Sequence, residues 1–254
     1  MKTEIFNFDR FKILLNRQLT LNLKTWLIAI GSLGGLLLFI SYFMMISGNH
    51  ENIMGMYSTF GVFAFFVTGL VFTSLSFSEM GTFTKSLQFI TLPASRFEKF
   101  FTAWFSSSVL YVILSIISLV VFSIISSLID VAFFHSSFAV FNPFVKGFGE
   151  VILGYFIAHS LYFLGSVWFT KGAFFKTLLV GFIAQTVANF WMLIWGVIIF
   201  KPTVVENLNN SEFSEFVMRF DNNIKAETIV ISFFCLIACI LLYASWERFK
   251  EREV

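Results

Sequence analysis

Charge is distributed along this chain in a way that leaves few folds open. With Asp, Glu, Lys and Arg taken as breaks, six stretches carry no charge: residues 25–50, 52–78, 100–129, 151–170, 177–200 and 228–246. Each holds 19 residues or more. About 20 predominantly apolar residues in a helix cross the roughly 30 Å of bilayer hydrocarbon. Lipid offers no hydrogen bonds, so each backbone N–H and C=O must find its partner within the segment, and stretches of this length form helices. The period-two alternation of a transmembrane β-strand is absent. Only 13% of the 254 residues are charged, against about 25% in soluble domains. The expected fold is an all-α membrane protein, one transmembrane domain over residues 1–254. Its six transmembrane helices are placed at about 25–47, 56–78, 100–128, 151–170, 177–200 and 228–246.

Basic residues give an orientation. Five Lys or Arg precede span one, three (Lys85, Arg96, Lys99) follow span two, and two (Lys171, Lys176) follow span four. Three more (Arg248, Lys250, Arg252) follow span six, and only four of the seventeen fall on the alternate side. Cytoplasmic connections carry the excess of Lys and Arg, so both termini are expected in the cytoplasm, as an even number of spans requires. Trp26, Trp104, Trp168 and Trp246 fall at the same ends, where interfacial belts form. The basic, mixed first 24 residues are too long for a signal n-region, so span one reads as a retained anchor. The expected location is the inner (cytoplasmic) membrane, multi-pass, with the lipid bilayer as solvent.

The connections differ among themselves. Residues 5–22 are amphipathic and basic, the pattern of a helix lying along the interface. Gly31 and Gly35, and Gly154 and Ala158, are small-xxx-small pairs that permit close helix approach, within one chain or between two. The Phe-rich stretch 130–150 is too short between breaks to span and is expected in the outer interface. Phe213, Phe216, Val217 and Phe220 recur at helical spacing and predict an outer amphipathic helix at about 210–220. Cys235 and Cys239 are too few for a disulfide framework or a zinc site and read as small packing residues.

Residues 79–98 stand apart. Phe83, Leu87 and Ile90 share one helical face, while Lys85, Gln88 and Thr91 point elsewhere. The run is about three turns, too short and too polar to cross. Pro93 disfavours helix at Leu92 and ends it. Ser95 and Glu98 have capping-box spacing and open span three. The chain therefore reads span, glycine turn at Gly81, short helix, proline break, capped span. That punctuation belongs to a positioned helix rather than a flexible tether.

These residues resemble a known family. The order Glu79, Gly81-Thr82, a short Leu/Phe-rich helix, then Pro93-Ala-Ser-Arg-Phe-Glu-Lys99 is similar to the loop of type-2 ABC exporter permeases. The layout is similar too: an N-terminal interfacial helix, six spans, cytoplasmic ends, a coupling helix between spans two and three, and outer helical elements before span six. The resemblance implies that this helix docks into a groove of a separate ABC ATPase subunit. It implies ATPase-coupling roles for Glu79, Gly81, Thr82, Phe83, Lys85, Leu87, Pro93 and Arg96. It further implies a second permease copy or paralogue, and no cofactor bound directly, ATP being held by the partner subunit. Relatives often place Arg beside the acidic residue. Here Ser78 and Met80 flank Glu79, and Arg10, Lys12 and Arg17 are its candidate partners.

Other classes have less in their favour. No Gly-Lys dipeptide occurs, so the chain has no phosphate loop of the Gly-x4-Gly-Lys type, and it is not expected to be an enzyme. His50-Glu51 lacks the second His of a zinc-protease helix, and no catalytic or metal residues are assigned. Only His159 lies within a span, where a partly buried, hydrogen-bonded core His is expected. The net charge of +2 gives no footing for nucleic acid. Gln185 and Asn189, four apart in span five, either line a translocation path between two protomers or act as hydrogen-bond glue between helices. The function expected is the permease subunit of an ATP-driven exporter. The alternative is a non-transporting membrane scaffold or assembly factor that binds a cytosolic partner through the same loop.

Overall fold

The computed structural model describes residues 6–81, 83–144, 147–169, 171–199 and 224–252, with no strand among them. Six helices are long and apolar enough to cross a membrane. They are α1 (Phe8–Ile46), α2 (His50–Ser74), α4 (Arg96–Phe134), α5 (Phe148–Trp168), α6 (Ala173–Ile199) and α7 (Ile224–Arg252). A short helix, α3 (Phe83–Ile90), lies between α2 and α4. The predicted outer helix at 210–220, and Thr82, lie outside the described residues.

The N-terminal segment differs from expectation in one respect. Residues 8–46 form one uninterrupted helix of 39 residues, with no break where the expected interfacial segment meets span one. The physical reason is local: no Pro or Gly occurs between Phe8 and Ile30, and nothing there breaks the hydrogen-bond ladder. At 1.5 Å per residue the helix is about 58 Å long, well beyond the hydrocarbon thickness. Asn7 caps it, its side-chain oxygen accepting from Asp9 and Arg10 N–H.

Contacts between distant residues fix the two ends of the bundle. Asn7 meets Glu98, Arg17 meets Glu79, and Phe249 packs against Phe77 and Phe100. Both terminal helix ends, the connection between α2 and α4, and the end of α5 therefore share one end, called here the terminal end. At the opposite end, His50 meets Asp130.

Two π-turns interrupt the long helices, Tyr57–Gly61 in α2 and Ser106–Leu110 in α4. Serine chemistry accounts for the second. Ser106 and Ser107 hydroxyls donate to Ala103 O, and Ser108 donates to Trp104 O, competing with the backbone ladder. The Ser107 carbonyl then accepts from the Tyr155 hydroxyl at 2.8 Å. His159, buried on α5, is hydrogen-bonded to Ser107 Oγ at 2.9 Å.

Close approach of α2 to the tyrosine pair depends on Gly69. A Cβ there would lie 2.5 Å from a Tyr111 ring atom and 2.6 Å from a Tyr155 ring atom. Neither ring can step aside freely, because the Tyr111 hydroxyl is bound to Phe65 O and that of Tyr155 to Ser107 O. Gly69→Ala is expected to destabilise by about 1–3 kcal/mol through overpacking, seen as a lower midpoint of thermal unfolding in detergent. Gly31→Ala is the control. Nothing lies within 4 Å of that position, so the midpoint should hold or rise.

Gly31, Gly35 and Gly154 all face open space, and it is Gly34 that packs against another helix, at the Phe122 ring. Cys235 and Cys239 are exposed on α7 rather than packed in a core, as is most of the α7 stretch 231–240. In the connection after α4, His135 takes a left-handed conformation and ends the helix. Phe141 tucks into the core around Leu37 and Tyr57, while Phe133, Phe138 and Phe144 remain exposed.

Candidate functional site

At the terminal end, residues 77–99 are built into the bundle by three ties. A 3-10 turn, Ser78–Gly81, follows α2 and presents Glu79 to α1. Both terminal nitrogens of Arg17 reach Glu79 Oε2, at 3.3 and 3.2 Å. Each side chain is about a third exposed, so the pair holds position more than it adds stability.

The second tie is aromatic. Phe77 is buried and touches Phe89, Phe100, Phe163 and Phe249. Phe89 carries α3 into this cluster, also meeting Phe249. The third tie is Lys99. Its ammonium donates to the carbonyl of Ile90 at 3.1 Å and lies 5.3 Å from the centre of the Phe89 ring. A cation at the last carbonyls of a helix complements the helix dipole. Thr91 adds side-chain hydrogen bonds to Leu87 O and Gln88 O.

The start of α4 is fixed in turn. Ser95 Oγ accepts from the Glu98 N–H while Glu98 Oε2 accepts from the Ser95 N–H, a complete capping box. The fully buried Glu98 has a second task. Its Oε1 accepts from the Asn7 backbone N–H at 2.7 Å and from Arg10 Nε at 3.1 Å, and Arg10 Nη2 sits 3.0 Å away. One carboxylate thus closes the first turns of both α1 and α4. Glu98 lies just before the charge-free stretch of α4. Burial pushes its pKa up, but the Ser95 and Asn7 N–H groups, and then the Arg10 guanidinium, outweigh burial and hold it below the usual carboxylate value.

The outer side of α3 is left uncovered. Leu87 and Ile90 are 47% and 39% exposed, and Thr84 and Gln88 are exposed beside them. Gly81 stands half-buried at the end of the turn, and Pro93 and Arg96 are exposed on the way into α4. Phe83 and Lys85 lie in the first turn of α3. The described residues singled out from 79 to 96 therefore share one end of the molecule. Gln185 and Asn189 do not join them. They sit on α6, Gln185 about 18 Å along the helix from Ala173, exposed, and among the described residues hydrogen-bonded to each other at 3.0 Å rather than to a second helix.

Sequence reasoning missed Phe89 and the second role of Glu98. A signal for Phe89 existed: it stands off the Phe83–Leu87–Ile90 face, so α3 is apolar on two sides. For Glu98 there was none, because a capping box does not say what else its carboxylate accepts.

Among the described residues no group of three or more His, Cys, Asp or Glu could hold a metal ion. What the geometry offers is a short helix tied to α4 by Lys99 and to α7 by Phe89, beside a turn paired with α1, with Leu87 and Ile90 exposed. No family model, curated protein or solved structure matches this chain. The likeness to exporter permeases rests on the loop residues and the layout of spans.

Proposed function

We propose that this chain is the membrane-spanning permease subunit of an ATP-driven ABC exporter. It would sit in the inner membrane with both termini in the cytoplasm, and α3 would couple it to a separate ATPase subunit. The observation that carries the reading is the contrast within α3. Phe89, Lys99 and the Arg17–Glu79 pair tie the helix down, yet Leu87 and Ile90 face outward. A helix held that firmly transmits a push instead of absorbing it. Movement of an ATPase against Leu87 and Ile90 passes through Lys99 to α4 and through Glu79 to α1. The Gly31 and Gly35 face of α1 and the Gln185–Asn189 pair on α6 are open. Both suit a second permease copy, with the polar pair beside the translocation path between the two.

The test is affinity capture of the tagged full-length chain from its native membrane. The wild type should retain a protein carrying a phosphate loop. Leu87→Asp with Ile90→Asp should reduce its recovery at least tenfold while leaving thermal stability unchanged, because both side chains are exposed. Retention of a partner without nucleotide-binding capacity would favour the scaffold reading and reject this one.

A further inference from the structure

At the end opposite the termini, the α1–α2 connection, the end of α4 and residues 136–139 enclose a cavity of about 600 Å³. That volume is in the range of small-molecule sites. Its chemistry is uneven. Asp130, 5% exposed, lies on one side, and its only hydrogen bond among the described residues joins Oδ1 to His50 Nδ1 at 2.7 Å. Glu51 adds a second carboxylate to the lining. The single base, His50, is already engaged by Asp130, so the cavity favours a cation over an anion.

Hydroxyls fill much of the remaining wall. Ser127 accepts the Ala139 N–H and Ser123 accepts the Phe141 N–H, which fasten residues 139–141 over the site. Ser136 Oγ stands 3.4 Å from His50 Nδ1. Asp130 and Ser136 thus meet the same ring nitrogen, so this is not the relay of a serine hydrolase, in which base and nucleophile sit on opposite nitrogens.

Ser126 supplies the independent observation. It is fully buried, lines the cavity, and its Oγ has no hydrogen bond. The Tyr57 hydroxyl, which donates to Phe122 O, stands beside it at the limit of hydrogen-bonding reach. A hydroxyl held so loosely can turn toward a ligand in the cavity.

We infer that this cavity binds a primary ammonium group with an oxygen close by. The ammonium would sit against Asp130 and the oxygen among Ser126, Ser127 and Ser136. Two sources share that chemistry, the head group of phosphatidylethanolamine and a free amino alcohol. The exposed Phe133, Phe138 and Phe144 at the same end suit a lipid's acyl region. The site does not depend on the ATPase reading.

Native mass spectrometry of the purified full-length chain tests it, with phosphatidylethanolamine, phosphatidylcholine or ethanolamine added in turn. Phosphatidylcholine keeps the charge but has no N–H to donate. Adducts should form with phosphatidylethanolamine or with ethanolamine at least tenfold more than with phosphatidylcholine, and Asp130→Asn should reduce them at least tenfold. Displacement of the lipid adduct by ethanolamine assigns the site to soluble amines, and its persistence assigns it to the head group. Ser126→Ala guards against misfolding of the Asp130 variant. It removes only a weakly bonded hydroxyl, so thermal stability should change little while adduct formation falls severalfold. Equal binding of the two lipids with no ethanolamine adduct, or adducts unchanged in both variants, overturns the inference.

Discussion

Glu98→Ala is expected to be the most damaging single substitution at the terminal end, lowering stability by about 3–5 kcal/mol. The Glu98 carboxylate accepts from two backbone N–H groups, at Asn7 and Ser95, and from the Arg10 guanidinium. Removing it leaves those donors without their acceptor and separates the start of α1 from the start of α4. Arg10 is 38% exposed at its side chain and can turn to water, so the loss should fall toward the lower figure. Glu98→Gln keeps the shape but not the chemistry. Its NH2 group must face either Ser95 N–H or the Asn7 and Arg10 donors, so one donor–donor contact is unavoidable. Thermal unfolding in detergent measures both variants. An unchanged midpoint for Glu98→Ala would show that the junction carries no stability.

The same residue sets a pH dependence. Its folded-state pKa lies below the ordinary value of 4.5. A depressed carboxylate pKa contributes stability that is present above the unfolded value and is lost as pH falls through the folded value. The midpoint of the wild type should therefore fall as pH drops below about 4.5, and Glu98→Gln should flatten that part of the profile.

Phe77→Ala is the second large effect, about 3 kcal/mol or somewhat more. Phe77 is 2% exposed and meets rings from α3, α4, α5 and α7. In a bilayer-spanning bundle such a loss is chiefly lost contact, since lipid solvates apolar surface as well as a side chain does. The substitution also leaves Phe89 without one of its two aromatic partners in the cluster, so α3 should loosen before the bundle does. Limited trypsin digestion should cut within residues 79–98 faster in Phe77→Ala than in wild type, at temperatures where the spans remain intact. Equal cutting rates would mean that Lys99 and the Arg17–Glu79 pair suffice to hold α3.

Much of the architecture was legible because the bilayer imposes so few solutions. Charge-free stretches of sufficient length become helices, and among the described residues six helices are long and apolar enough to cross. The Ser95–Glu98 box was readable because capping depends on residues three apart in sequence. His159 was readable as a buried, hydrogen-bonded group because an intramembrane His needs a partner, although the sequence did not name Ser107. Tertiary partners were less accessible. Three basic residues stood as candidates for Glu79, and the fold selects Arg17 and sends Arg10 to Glu98. The small pairs Gly31–Gly35 and Gly154–Ala158 were readable as close-approach signals, yet among the described residues Gly34, Gly61, Gly69 and Gly165 make the close approaches.

The sequence by itself determined the number of apolar helices, their approximate limits, and the short punctuated helix between the second and third. These follow from local rules of hydrogen bonding, proline and capping that act over a few residues. Only the tertiary structure decided which face of α3 is anchored and which is free, that one carboxylate joins the first turns of α1 and α4, and that Asp130 and His50 meet across a polar cavity. The Asn7–Glu98 and His50–Asp130 pairings join residues 91 and 80 positions apart, and nothing in local sequence chemistry ranks one distant donor above another until the helices are packed.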